Sequence, residues 1–153
     1  MSVLYDKIYR GERYEDIPSS EYLGALVAEI VDSFPQGKSI RVVREIAEFS
    51  IGFRATYEIG IIVNELLTNS MKYAFGGRDS GTLRVVAGES SGWVVFSVQD
   101  DGAGFERAGD GADGFGLSLV ESLVENLGGK LRIESALGRG TTISFSVPRA
   151  SLG

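Results

Sequence analysis

Three polar residues recur along one amphipathic segment at a spacing that would place them side by side. Glu65, Asn69 and Lys72 stand at i, i+4 and i+7, which is one face of an α-helix. Another stripe of the same helix is apolar and would form its core side, with Ile59, Ile62, Val63 and Leu66. An acid, an amide and an amine on one face form a candidate site. Taken alone, the same pattern is also typical of a solvated helix face.

A second candidate follows a strand pattern. Asp100 begins the sequence Asp-Asp-Gly-Ala-Gly directly after the alternating residues 93–98. Its carboxylate could accept hydrogen bonds from an amino-bearing ring held against Gly102 and Gly104, and a buried carboxylate would select such a ligand. The alternative is an ordinary Asp-Gly turn between strands.

A third candidate is a pair of glycines before a helix pattern. Gly114 and Gly116 precede the apolar repeat that starts at Leu117, and amides at a helix N-terminus favour anions such as phosphate. No Gly-Lys-Ser/Thr follows and no strand precedes directly, so neither a Walker loop nor a Rossmann fingerprint is present. Residues 106–114 have no hydrophobic period and are predicted to form a mobile loop.

Composition excludes several kinds of site and partner. The 153 residues include no cysteine and no histidine, which excludes disulfides, thiolate metal sites, zinc enzymes and serine-histidine hydrolases. The net charge of −6 and the lack of a basic cluster argue against a nucleic-acid partner. Neither a membrane-spanning apolar run nor a secretory signal is present, so we expect a cytoplasmic chain without membrane contact.

The order of periodic segments predicts the fold. The predicted order is a helix capped by Ser19 or Ser20, an edge strand, a connector, the helix of the polar face, a hairpin, a third helix and a last hairpin. In the same order these are the segments from 19 to about 33, 39–46, 49–53, about 54–73, 83–87 with 93–98 around a loop at 88–92, 117–129, and 130–135 with 141–147. This order predicts an α+β fold, a two-layer sandwich of about five strands in a mixed sheet, with helices on one face.

Four motifs taken together resemble a known set. They resemble the N, G1, G2 and Gly-Thr boxes of the ATP-binding (Bergerat) fold shared by DNA gyrase, heat-shock chaperones, MutL-type repair proteins and histidine kinases: Glu65-x-x-x-Asn69-x-x-Lys72-Tyr73, Asp100-x-Gly-x-Gly104, Gly114-x-Gly-Leu117 and Gly140-Thr141. The resemblance covers roughly residues 20–148. Within this GHKL superfamily, the sequences around Asn69 and Thr141 are most similar to those of sensor histidine kinases.

The resemblance implies ATP and Mg²⁺ as ligands and a role for each motif. Asn69 would hold the Mg²⁺ that bridges the phosphates, and Lys72 would meet phosphate oxygens. Asp100 would recognise the adenine amino group, Gly102 and Gly104 would make room for the ring, and Thr141 would support the adenine end. Residues 105–116 would be the ATP lid, in which Gly114 and Gly116 turn amides toward the phosphates. Tyr73 and Leu117 belong to the same boxes and count as nucleotide-binding residues, and Glu65 would orient the phosphoryl transfer.

The missing histidine limits what this chain could do alone. A histidine kinase phosphorylates a histidine, so the acceptor would lie on a dimerisation domain outside this sequence, and a response regulator would follow. Residues 1–18 then resemble the end of a dimerisation helix or linker, and residues 19–150 the catalytic domain. Two alternatives remain at this point: a serine kinase of the anti-sigma-factor type, and a module that binds ATP without transfer.

Overall fold

Five strands form one mixed sheet in the computed structural model, which describes residues 16–34, 39–105 and 117–153. A short two-stranded pairing lies beside this sheet. The elements in chain order are β1 (Ile17–Pro18), α1 (Ser19–Asp32), β2 (Ser39–Ile46), β3 (Ser50–Ile51), α2 (Phe53–Asn69), a π-helical turn (Ser70–Ala74), β4 (Ser80–Ser90), β5 (Trp93–Asp100), α3 (Leu117–Asn126), β6 (Lys130–Ala136), β7 (Gly140–Pro148) and a 3₁₀ turn (Arg149–Leu152).

The sheet has the strand order β2-β4-β5-β7-β6. β2 runs parallel to β4, and the other neighbours are antiparallel. The predicted edge position of residues 39–46 and the predicted mixed five-stranded sheet are therefore confirmed. The pairing of Asp100 with Thr141 brings the end of β5 beside the start of β7.

The core lies between one face of the sheet and the helices. Alternate residues of β5 and β7 point into it, and the rings of Phe96 and Phe145 stack there with centroids 4.7 Å apart. The helices contribute one buried stripe each, which includes Leu23, Leu26, Ile59, Ile62, Leu66, Val120 and Val124. On the opposite face, Trp93 and Val95 are 37% and 38% exposed. The prediction of a two-layer α+β fold with helices on one face is confirmed.

The helix that carries Asn69 does not continue regularly to residue 73 as predicted. It changes at Ser70 into a π-helical turn that ends at Ala74. The wider turn directs the carbonyl oxygen of Ala74 toward the loop after β5, where it accepts a hydrogen bond from the Ala103 N–H at 2.8 Å. A tertiary contact therefore overrides the regular helix at this point.

The first hairpin has a shorter turn than the predicted loop at 88–92. β4 extends to Ser90 and β5 begins at Trp93, so only Ser91 and Gly92 form the turn. Both have positive φ, 49° and 84°, as tight hairpin turns require. Likewise the predicted connector at 49–53 contains β3, which pairs with β1.

The N-terminus of α1 is capped by a residue that is distant in sequence. Ser19 and Ser20 lie inside the first helical turn instead of capping it, because the helix begins directly after Pro18. The Glu48 carboxylate accepts hydrogen bonds from the Ser20 N–H at 3.3 Å and the Ser20 hydroxyl at 2.7 Å. The Ser19 hydroxyl donates to the Ala47 carbonyl at 2.7 Å. The predicted serine cap is thus replaced by a tertiary one.

None of the helices in the described ranges has the length and apolar character needed to cross a membrane.

Candidate functional site

A cavity of about 180 Å³ opens where the end of α2, the end of β5 and the start of β7 meet. Described residues from all four predicted motifs contribute to its wall. The described lining consists of Asn69, Ser70, Tyr73, Ala74, Asp100, Gly104, Phe105, Leu117, Thr141 and Ile143. The cavity is therefore the candidate site.

Asp100 is the buried charge of this cavity, with 6% of its surface exposed. Its Oδ1 accepts hydrogen bonds from the Gly102 N–H at 3.0 Å and the Thr141 N–H at 3.2 Å. Its Oδ2 accepts one from the Ser70 hydroxyl at 3.1 Å. A carboxylate has about four acceptor positions, and the donors in the described part of the chain fill three, which leaves one on Oδ2 for a donor in the cavity.

Burial and hydrogen bonding act in opposite directions on this carboxylate. Burial raises the pKa of Asp100 above its ordinary value, because it penalises the charged form. The hydrogen bonds from Gly102, Ser70 and Thr141 lower the pKa and offset part of that effect. The group is thus a desolvated acceptor held in a fixed orientation.

The neighbouring Asp101 has a different position. Its Oδ1 accepts a hydrogen bond from the Thr82 N–H at 2.8 Å, and its carbonyl accepts one from Arg78. Asp101 therefore anchors the loop to β4, while Asp100 faces the cavity.

The glycines after Asp100 let backbone segments approach closely. A Cβ on Gly102 would lie 2.2 Å from the Ala74 carbonyl oxygen. Gly104 has φ 64°, and a Cβ there would lie 2.0 Å from the Ala136 carbonyl oxygen. The space beside both residues is thus filled by the protein itself, which gives them a packing role. The predicted role of making room for a ring stays a prediction.

The polar face of α2 is only partly represented in the cavity. Asn69 lines it, whereas Glu65 and Lys72 are not among its lining residues. The predicted stripe assumed a regular helix through Lys72, and the π-helical turn changes the spacing after Asn69. Tyr73, which is 52% exposed, lines the cavity as well.

The remaining predicted residues divide into two groups. Leu117 and Thr141 line the cavity. Gly114 and Gly116 lie outside the described residues, as does most of the predicted lid. Among the described residues no cluster of three or more Asp or Glu side chains could hold a metal ion.

Sequence reasoning missed three lining residues. Ser70 and Ala74 enter the wall through the π-helical turn, for which the sequence carries no clear signal. Ile143 could have been found, because it follows Thr141 by two residues on a strand and so faces the same side. Phe105, which also lines the cavity, is the first residue of the predicted lid at 105–116.

Comparison with known proteins identifies the family of the chain. The model of the family described as "Histidine kinase-, DNA gyrase B-, and HSP90-like ATPase" matches residues 55–151. A blue-light-activated histidine kinase of Erythrobacter litoralis is 30% identical over 135 residues, which are 86% of this chain and 38% of the relative. The chain thus spans less than half the length of that relative.

Solved structures give the same result. The histidine kinase domain of a blue-light-activated kinase from Erythrobacter litoralis superposes with a TM-score of 0.85 at 27% identity, covering 98% of this chain and 71% of that one. A mycobacterial sensor histidine kinase has a TM-score of 0.65 at 19% identity, covering 88% and 97% of the two chains, and supports the fold alone. The chain therefore belongs to the family of histidine kinase-, DNA gyrase B- and HSP90-like ATPases, as an ATP-binding catalytic domain of the sensor histidine kinase type.

Proposed function

We propose that the cavity binds Mg-ATP and that the domain passes the γ-phosphoryl group to a histidine supplied outside this chain. The observation that carries the proposal is the Asp100 carboxylate, buried in the cavity wall with one acceptor position that no described residue fills. A base with an amino group would donate a hydrogen bond to that position. A base with a carbonyl there would place its oxygen against the carboxylate oxygen, and neither could donate.

The adenine end of ATP would lie between the end of β5 and the start of β7. Asp100 would accept from the adenine amino group, and Thr141 would support the same edge of the ring. Leu117 and Ile143, which line the cavity, would supply apolar contacts to the ring faces. Gly102 and Gly104 would hold the loop close enough for this contact.

The phosphate end would lie toward Asn69. Asn69 offers an amide oxygen, which suits Mg²⁺, a hard cation that proteins usually bind through one or two side chains and the substrate phosphates. Bound there, Mg²⁺ would neutralise charge on the phosphates. Lys72, exposed in the π-helical turn, would meet phosphate oxygens at the end of its flexible stem, and Tyr73 would border the nucleotide. Glu65, one turn before Asn69, would orient the transfer.

In the transfer, the bond between the γ-phosphorus and the bridging oxygen breaks and a bond to an imidazole nitrogen forms, leaving ADP. Positioning and charge neutralisation would supply most of the acceleration. The acceptor histidine, a dimerisation domain and a response regulator are proposals for the whole protein, since this chain spans only 38% of its relative. The lid at 105–116, the boundary at residue 18 and a cytoplasmic location likewise stay predictions.

The similar proteins are histidine kinases, which favours this function over the two alternatives. We found no observation that favours a serine kinase of the anti-sigma-factor type or a module without transfer.

Calorimetric titration of the purified chain with ATP, with and without Mg²⁺, tests the binding proposal. GTP is the matched control, because it differs only in the base. We expect saturable, Mg-dependent binding of ATP and much weaker binding of GTP. Equal binding of both nucleotides would contradict the proposed role of Asp100, and absence of ATP binding would overturn the proposal.

A further inference from the structure

A hydroxyl group behind the cavity links two residues of its wall. Ser135 of β6 pairs with Thr141 of β7, and both face the side of the sheet that the helices cover. Ser135 Oγ lies 2.7 Å from Thr141 Oγ1 and accepts a hydrogen bond from the Phe105 N–H at 2.9 Å. Thr141 and Phe105 line the cavity, whereas Ser135 does not.

The available donors determine the direction of these hydrogen bonds. A serine hydroxyl has one hydrogen and two acceptor positions. The Ser135 hydroxyl can donate to the Gly140 carbonyl at 3.2 Å, while it accepts from the Phe105 N–H and from the Thr141 hydroxyl. This arrangement gives all three hydrogens an acceptor. The reverse direction between Ser135 and Thr141 would remove the donor to Gly140.

In this arrangement the Thr141 hydrogen points away from the cavity. Its oxygen therefore presents lone pairs to a ligand, as the neighbouring Asp100 does. We propose that Ser135 is a positioning residue of the nucleotide site, which fixes the direction of the Thr141 hydroxyl and holds the Phe105 backbone at the cavity edge. This inference rests on the proposed binding of ATP.

Loss of this one hydroxyl leaves the surrounding backbone held by other bonds. The Gly138 N–H donates to the Ala103 carbonyl at 2.7 Å, and the Ala103 N–H donates to the Ala74 carbonyl at 2.8 Å. Ser135→Ala is therefore expected to fold and to alter the cavity locally. Ser144→Ala is the matched control, because Ser144 is half-buried on the opposite face of the same sheet.

The test is calorimetric titration with Mg-ATP of the unaltered chain, Ser135→Ala, Thr141→Val, the double variant and Ser144→Ala. We expect Ser135→Ala to weaken binding by about tenfold and Ser144→Ala to leave it unchanged, since a lost hydrogen bond contributes on that order. In the Thr141→Val background the Ser135→Ala effect should shrink to about twofold, because residues that act through one another are not additive. A purely structural role would give the same factor in both backgrounds and overturn the inference.

Hydrogen exchange of the Phe105 amide gives a readout that needs no nucleotide. Exchange should be faster in Ser135→Ala than in the unaltered chain and in Ser144→Ala, because the amide loses its acceptor. Unchanged exchange together with unchanged ATP affinity would remove Ser135 from this role. Failure of the unaltered chain to bind ATP would instead count against the proposed function, and the exchange result would then decide whether Ser135 positions the cavity wall.

Discussion

Asp100 determines which base the proposed site prefers, because its carboxylate can only accept hydrogen bonds. Replacement by Asn keeps an oxygen that can accept from Gly102 and Thr141, but it places an N–H₂ group where Oδ2 now accepts. A donor would then face the amino group of adenine. We expect Asp100→Asn to weaken ATP binding by about 1–3 kcal/mol, as for an unsatisfied buried polar group.

The same change should favour a base with a carbonyl at that position, so inosine triphosphate is the decisive second ligand. In Asp100→Asn, the affinity for inosine triphosphate should rise relative to that for ATP, and an unchanged ratio of the two dissociation constants would contradict the assignment.

The stability of the folded chain provides the control. Because burial raises the pKa of Asp100, its ionisation lowers the free energy of unfolding as pH rises above the ordinary pKa. Asn does not ionise, so the stability of the variant should not decline with pH in this way, although the Ser70 hydroxyl loses its acceptor at Oδ2.

Among the described cavity residues, Asn69 is the one that lies on α2, and its side-chain oxygen suits Mg²⁺. We expect Asn69→Ala to remove the dependence of ATP affinity on Mg²⁺, because an oxygen ligand is lost while the adenine end is unchanged. Titrations with and without Mg²⁺ measure this directly. Thr68→Ala, the preceding position outside the described lining, is the matched control, and a full Mg²⁺ effect in Asn69→Ala would exclude Asn69 as the ligand.

At the scale of elements, the site depends on how closely the π-helical turn approaches the loop after β5. Gly102→Ala would place a Cβ 2.2 Å from the Ala74 carbonyl oxygen, so one of the two segments must shift. We expect a loss of about 1–3 kcal/mol in the free energy of unfolding, as for overpacking of a filled space. Gly88→Ala, where nothing lies within 4 Å of the added Cβ, is the matched control. Denaturant unfolding measures both, and equal stability would contradict the packing role.

The start of α1 provides a prediction with a defined pH dependence. Hydrogen bonds from Ser20 lower the pKa of Glu48, so the charged form is favoured in the folded state. A lowered folded pKa contributes stability above the ordinary pKa of about 4.3 and loses it as pH falls through the folded value. Glu48→Ala should therefore lower the melting temperature at neutral pH. The difference from the unaltered chain should vanish in acid, and a constant difference at all pH values would refute the capping role.

The elements also show which parts of the fold and site can be predicted from the sequence. The edge strand at Ser39–Ile46 and both hairpins followed from local alternation and glycine turns. The π-helical turn and the Glu48 cap did not, because each depends on a partner that is distant in sequence, Ala103 in one case and Ser20 in the other. Asn69, Asp100 and Thr141 can be grouped from the sequence alone, because the family motifs place them together. Ser70 and Ser135 cannot be grouped with them from the sequence. The π-helical turn brings Ser70 to the site, and the pairing of β6 with β7 brings Ser135 behind it.

For the molecule as a whole, the sequence supplies an ATP-binding domain but no histidine. We therefore expect the chain, incubated with γ-labelled ATP and Mg²⁺, to bind nucleotide without acquiring a covalent label, because the proposed acceptor is absent. Filter binding and gel analysis of one sample measure both quantities, and a large excess of unlabelled ATP gives the background. An acid-stable label would indicate a phosphorylated serine or threonine and would favour the serine kinase alternative. Bound ATP that is recovered unchanged would leave the acceptor on another domain, as the proposed function requires.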